Sequence, residues 1–319
     1  GKLLAANLRA AQESSEVDYI KISGSGGAQI GELNAKSLDI SLLSSGNFTL
    51  GKLTAEISQI KIGGSGDLIV LDGKVLKSSI HLTSAGKLIA DNLKAFEKEA
   101  DEISVRITGS GSVRIGEFRS RLLNIELTSA GNLVIEKITT DKLTATVKGS
   151  GNVTIDAGSA NQQQITLTSA GKFTAENLGA GETAAEKSSV HTSGSGDAKV
   201  GELFANQVDI SLTSAGGLKV SELVAEKVMV ELKGSGNARI VKGDVKEQTI
   251  QVHSSGDYYA PLVKSLNTEV ESSGSGKTTI QASDRLIARI ASSGDVIYAG
   301  QPMITYTLQG SGELRKRKA

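Results

Sequence analysis

The sequence predicts an all-β chain, a parallel β-helix (β-solenoid) with about 20 residues per repeat unit. Three observations carry this reading. A small-residue motif ending in glycine returns at nearly constant spacing. Apolar residues alternate on both sides of each motif, the period of a strand. No stretch has helical periodicity over a length that would cover a sheet.

The motif comes first because everything else is counted from it. Its last glycine stands at Gly26, Gly46, Gly66 and Gly86, then at Gly111, Gly131, Gly151 and Gly171. It continues at Gly196, Gly216, Gly236, Gly256, Gly276, Gly294 and Gly312. Successive positions differ by 20, except for 25 before Gly111 and Gly196 and 18 before Gly294 and Gly312. Gly1 fits as well, one of the longer steps before Gly26. A longer period lies on top: residues 1–85, 86–170 and 171–255 align without a gap. They open on "GKLLAANL", "GKLIADNL" and "GKFTAENL". Residues 256–319 are a divergent end, and the whole chain, 1–319, reads as one continuous solenoid.

Within a unit, apolar residues stand two and four places after the motif glycine, as in Leu133 and Ile135 or Leu218 and Val220. A second set stands six and four places before the next motif glycine, as in Ile125 and Leu127 or Ile210 and Leu212. Ser, Thr, Lys, Glu and Gln between them read as a solvent face. One unit cannot bury its apolar side alone, so stacking at about 4.8 Å per unit must supply the core, giving a stiff rod. The small triplet then marks a bend where successive backbones come close and glycine can take positive φ. Thr83, Thr128, Thr168 and Thr213 form a candidate hydroxyl ladder beside it.

The motifs alternate between "GSG" and "SSG" or "SAG". Two origins fit: duplication of a pair of units, or a turn of two units in which each motif stacks on its own kind. One turn of the solenoid therefore holds one unit or two, a length of 20 or 40. The five extra residues of each long unit fall in the other bend. "RAAQESSEVD", "KAFEKEADE" and "GAGETAAEKSS" are polar and acidic, and read as longer surface loops suited to variable contacts.

Composition narrows the function classes. Lys+Arg and Asp+Glu are 35 each, so no net field calls for nucleic acid or an anionic membrane. Cysteine is absent, which removes disulfides and cysteine metal sites. Aromatics make up only 3%, so the core is aliphatic. No apolar run approaches the ~20 residues of a membrane span, and no signal peptide is visible in the chain.

At this point the sequence resembles a known family. "SGSGD" and "SGSGN" motifs, each followed by a short apolar strand, are similar to those of the auto-transporter adhesin head family, the GIN domain. The tail "SSGDVIYAGQPMITYTLQGSGELRKRK" resembles that family's ending, through Asp295, Val296, Tyr298, Gly300, Pro302 and a last GSG. The resemblance covers nearly the whole chain. It implies a right-handed parallel β-helix exported in bacteria, an adhesive role, and no catalytic residues. The array is longer and more regular than the family leads one to expect, which favours a structural or multivalent role.

Four features invite sharper readings. "ESSGSGKTTI" ends like a phosphate-binding loop at Gly276, Lys277 and Thr278, and "LIVLD", Leu68 to Asp72, mimics the strand of a magnesium site. Yet Glu271 replaces the first glycine, and both stretches are in register with the other units. Asn47, Asp67, Asn132, Asn152, Asp197, Asn237, Asp257 and Asp295 follow the motif glycine and could hold Ca²⁺. Lys87, Lys172 and Lys277 share that column, so turn residues are the better reading. His81, His191 and His253 are not at ligand spacing and read as surface residues. The basic end "LRKRKA" reads as a solvated tail or a contact with an anionic polymer.

The sequence thus points to a non-catalytic bacterial surface or extracellular protein, with no cofactor and no metal. The expected partners are a glycan or surface protein, and further copies through the solenoid ends. The competing reading is a polysaccharide-binding or polysaccharide-degrading β-helix enzyme.

Overall fold

The computed structural model describes residues 3–9 and 18–317, with side chains from Asp18 onward. Among the described residues there are 22 strands and no helix. The chain divides into two compact units, Gly1–Gly158 and Ser159–Ala319. The first begins with β1 (Leu3–Arg9) and β2 (Asp18–Ile22), followed by β3 (Ala28–Leu42), β4 (Phe48–Ile62) and β5 (Leu68–Leu82). A rung broken by an inserted bend follows as β6 (Lys87–Ala90), β7 (Leu93–Ala95) and β8 (Ala100–Ile107). Then come β9 (Ser112–Leu127), β10 (Asn132–Val147) and β11 (Asn152–Leu167), which contributes residues to each unit. The second unit has its own broken rung, β12 (Lys172–Ala175), β13 (Leu178–Gly179) and β14 (Ala185–Thr192). Regular rungs β15 (Ala198–Leu212), β16 (Leu218–Leu232), β17 (Ala238–Val252), β18 (Tyr258–Ser272) and β19 (Thr278–Ile290) follow. Short strands β20 (Val296–Ala299), β21 (Met303–Leu308) and β22 (Leu314–Lys316) end the chain.

All the pairings are parallel and the register is the sequence period. Phe48 lies over Ala28, Asn132 over Ser112 and Leu218 over Ala198, each a step of 20. One turn therefore holds a single repeat unit, which settles the choice between 20 and 40. Across an inserted bend the step becomes 25, as Ser104 over Ser79, and at the C-terminal end 18, as Met303 over Arg285. The shortening is taken up between β18 and β19, where the register slips between Tyr259 and Asn267.

A 15-residue strand such as β4 cannot stay straight and return to the same column, and the burial pattern shows where it bends. In β4, Phe48 and Leu50 point inward, then Leu53 and Ala55, then Ser58, Ile60 and Ile62. Two successive outward residues, Gly51–Lys52 and Glu56–Ile57, shift the phase at each bend. The cross-section thus has three sides. The sequence reading of two strands with a solvent face between them is corrected: that segment supplies a third inward pair. Its signal is one small and one larger residue, too brief to stand out beside the longer runs. Full burial of such side chains stabilises by roughly 1.5–3 kcal/mol each, and each rung contributes only because its neighbours cover it.

The small-residue corner is explained by contact, not by left-handed backbone. Among the described residues no motif glycine has φ in the left-handed region; positive values occur at Gly73, Gly158 and Gly300. Instead, a Cβ on Gly149 would lie 2.1 Å from the Ser129 carbonyl oxygen of the preceding rung. A Cβ on Gly234 would lie 2.0 Å from that of Ser214. From Gly64 onward, the first glycine of each GSG sits on the serine of an SSG or SAG. So the motifs alternate because each stacks on the other kind, the reverse of stacking on its own. Backbone bonds hold the corner in step, as Gly151 N–H to Ser129 C=O at 2.9 Å.

Candidate binding faces

The outer columns carry any function, since the interior is filled. The first to consider is the Asp and Asn column that follows the motif glycine. Asn47 Oδ1 accepts the backbone N–H of Asp67 at 2.9 Å, and Asp67 Oδ1 accepts that of Lys87 at 3.0 Å. The pattern recurs from Asn132 to Asn152, from Asp197 to Gly217, from Asn237 to Asp257 and from Asp257 to Lys277. These oxygens bind the next rung, which explains the residue type without an ion. Among the described residues no group of three or more His, Asp or Glu is placed to hold a metal. The threonine column is different: Thr83, Thr128 and Thr168 are exposed, and the stacking bonds run through the Asp and Asn column instead.

The phosphate-loop lookalike is one more corner. Lys277 donates its N–H to Asp257, Thr278 is buried, and a Cβ on Gly274 would meet the Ser254 carbonyl oxygen at 2.0 Å. A phosphate has no room where the preceding rung is in van der Waals contact. His253 Nδ1 meets Ser273 Oγ at 3.0 Å on the surface, and His191 stands on an outer column in the second unit.

Two faces depart from the regular surface. In the first unit a polar trough of about 500 Å³ is lined by Ser104, Asn124, His81, Glu102, Arg106 and Glu126. Arg106 and Lys148 pair with Glu126 at 2.8 and 2.9 Å, and Asn124 Nδ2 donates to Glu102 at 2.8 Å. The Lys148 hydrogen bond, with help from Arg106, holds the Glu126 carboxyl below the usual range. Burial, then Arg106 and Lys61, holds His81 below the ordinary imidazole value. At neutral pH the trough therefore offers a fixed carboxylate, a neutral imidazole and fixed cations.

In the second unit a groove of about 590 Å³ crosses successive rungs and is mostly apolar. Its floor holds Phe204, Val224 and Val245, with Asp244, Lys246 and Lys264 along it. The inserted bend supplies Ala184 on one side. A smaller groove of about 240 Å³ adjoins it, between Ala180, Gly181, Phe204 and Val224. The bend is tied down by Ala180 N–H to Glu202 at 3.2 Å, while Glu176 pairs with Lys199 and Lys219 at 3.1 and 2.6 Å. In the second unit the inserted bend borders both grooves, through Ala184 and through Ala180 and Gly181. The bend at residues 9–18 lies almost wholly outside the described residues, as do Gly1 and the last two residues of the basic tail.

The family model described as "Putative auto-transporter adhesin, head GIN domain" matches three times, over residues 5–117, 103–201 and 188–302. The second and third matches, starting at 103 and 188, begin one full sequence block apart. No curated protein matches, and no solved structure matches. With its repeated matches spanning almost all of its length, the chain belongs to the auto-transporter adhesin head family, the GIN domain.

Proposed function

We propose that this protein is an adhesin-like, non-catalytic bacterial surface protein that binds through the outer faces of its solenoid. The observation that carries the reading is the pair of faces just described, set on a scaffold whose interior is closed to ligands. The groove over Phe204 and Val224 presents an apolar floor with charges beside it, as a recognition site does. The repeated columns let weak contacts add through multivalency. Among the described residues no helix is long and apolar enough to cross a membrane.

A polysaccharide-degrading enzyme is the second reading, because Glu102 and Glu126 share the polar trough. Glycoside hydrolysis by two carboxyls needs one of them protonated, its pKa raised. Glu126 is shifted the opposite way by Lys148 and Arg106. Glu126 therefore fits the base or nucleophile of such a pair and not its acid, and the trough's amide, hydroxyl and charged groups also suit hydrogen bonding to a hydroxyl-rich ligand.

The test is binding of the full chain to immobilised glycans and extracellular-matrix proteins. Replacing residues 179–184 by the shorter bend of a regular rung should abolish binding at the second-unit groove. Binding unchanged by that replacement and by Phe204→Arg would remove the groove from the function. Turnover of a polysaccharide, lost in Glu126→Gln, would establish the enzyme reading instead.

A further inference from the structure

The polar trough of the first unit changes character along its length. Two outward columns run along it in register. One stacks Lys61, His81, Arg106 and Glu126, and the other Gln59, Ser79, Ser104 and Asn124. Successive rungs are about 4.8 Å apart. Toward β4 the first column is basic, with Lys61 and Arg106 on either side of His81. Among the described residues Lys61 has no carboxylate partner, and His81 Nε2 is buried without a hydrogen-bond partner. Burial, then Arg106 and Lys61, keeps that imidazole neutral. Toward β9 the trough is acidic. Glu126 pairs with Arg106 and Lys148, and Glu102 accepts from the Asn124 amide. Ser104 Oγ donates to Ser79 Oγ at 3.2 Å alongside.

The repeat does not require this arrangement. At the same places in the second sequence block, Lys61, His81 and Arg106 are replaced by Thr146, Thr166 and His191. In the third block Lys61 and His81 become Glu231 and Gln251. Rungs therefore stack in this column with neutral or acidic residues as well as with basic ones. Like charges on neighbouring strands cost stability, so the basic end is held against its own repulsion. A bound anion would relieve it.

We propose that the trough binds an acidic saccharide, its carboxylate between Lys61 and Arg106 beside His81 and its hydroxyls along Ser104, Asn124, Glu102 and Glu126. The inference rests on the reading of the outer faces as binding surfaces and names the ligand class of one of them. Ionised Glu126 can only accept hydrogen bonds, which sugar hydroxyls donate. A neutral sugar leaves the basic end unmatched. An anionic polymer without hydroxyls meets Glu102 and Glu126 as like charges, which turns it away. One carboxylate among several hydroxyls answers both ends.

Calorimetry on the full chain tests this with trigalacturonate and a hyaluronate tetrasaccharide as acidic probes. The methyl ester of trigalacturonate and polyglutamate serve as the neutral sugar and the sugar-free anion. At least one acidic probe should bind, and each control should bind about tenfold more weakly or not at all. Lys61→Thr/His81→Thr places the residues of the second block in the same columns, so the rungs should stack as before. It should weaken the acidic probe about tenfold, while Phe204→Arg leaves it unchanged. If circular dichroism shows the double variant altered, Lys61→Thr alone, at an exposed position, should still cost about threefold. Binding of neither acidic probe overturns the inference. So does equal binding of the ester or of polyglutamate, or affinity unmoved by the trough variants. Loss of the sugar in Phe204→Arg alone would also overturn it, yet would support binding through the second-unit groove.

Discussion

The inserted bends of the two units occupy the same place in the repeat and do opposite things. In the first, Phe96 lies half-buried in the bend, and the sheet beside it carries Arg119 and Thr139. Ion pairs flank that bend, Asp91 with Arg114 at 3.1 Å and Asp101 with Arg121. In the second, the residue at the place of Phe96 is Gly181, and those at the places of Arg119 and Thr139 are Phe204 and Val224. The bulk has moved from the bend to the sheet, and a groove remains where the bend has become small. The corner with the GSG motif shows no such freedom. A solenoid of this kind can vary where its backbone stands away from the next rung and cannot where rungs touch.

That contrast can be broken at several points. The largest effect should come from the corner. Gly149→Ala forces a Cβ to 2.1 Å from a backbone oxygen that cannot move alone. It should cost about 3 kcal/mol or more in urea unfolding, at or above the upper end of overpacking losses. Ser129→Ala, on the other partner of the same contact, should stay within about 0.5 kcal/mol. Equal losses from the two would mean the corner is not limited by space.

Next, giving the second unit the residues of the first should remove its groove. Phe204→Arg with Val224→Thr should weaken binding of an apolar fluorescent probe at least tenfold, about 1.4 kcal/mol. Fluorescence titration reads this, and unchanged affinity would place the probe elsewhere.

A smaller effect concerns acid. The N–H of Glu313, then the Arg315 guanidinium, hold the Asp295 carboxyl below its ordinary value. A depressed folded value means the charged form favours the fold. The contribution is present above the unfolded value of about 3.9 and is lost as pH falls through the lower folded value. Asp295→Asn should therefore lower thermal stability slightly near neutrality and flatten its loss in that acid window, so that the two chains converge at low pH. The smallest effect is expected at the bend of the first unit. Arg121→Ala breaks a pair whose partners are both well exposed, and should cost less than about 0.5 kcal/mol.

The period, the strands and the broken rungs were legible because they repeat. One glycine column and two runs of alternation define where each rung begins and which residues face inward. Four features were not. The third side rests on single pairs such as Leu53 and Ala55, too short to show alternation. The asparagine and aspartate column looks like turn chemistry, since its true partner is an N–H one full turn along the chain. The groove depends on Gly181 and Phe204 together, and that exchange shows only when the long sequence blocks are compared column by column. The polar trough is still less visible, because its charges come from separate rungs and each is ordinary alone.

The nesting of glycine on serine gives the array a parity. Loss of one glycine-type turn would bring two serine corners face to face, where the spacing leaves no room for a second side chain. Growth and shrinkage by recombination should therefore proceed in even numbers of turns. The long sequence block, four turns in all, obeys that rule.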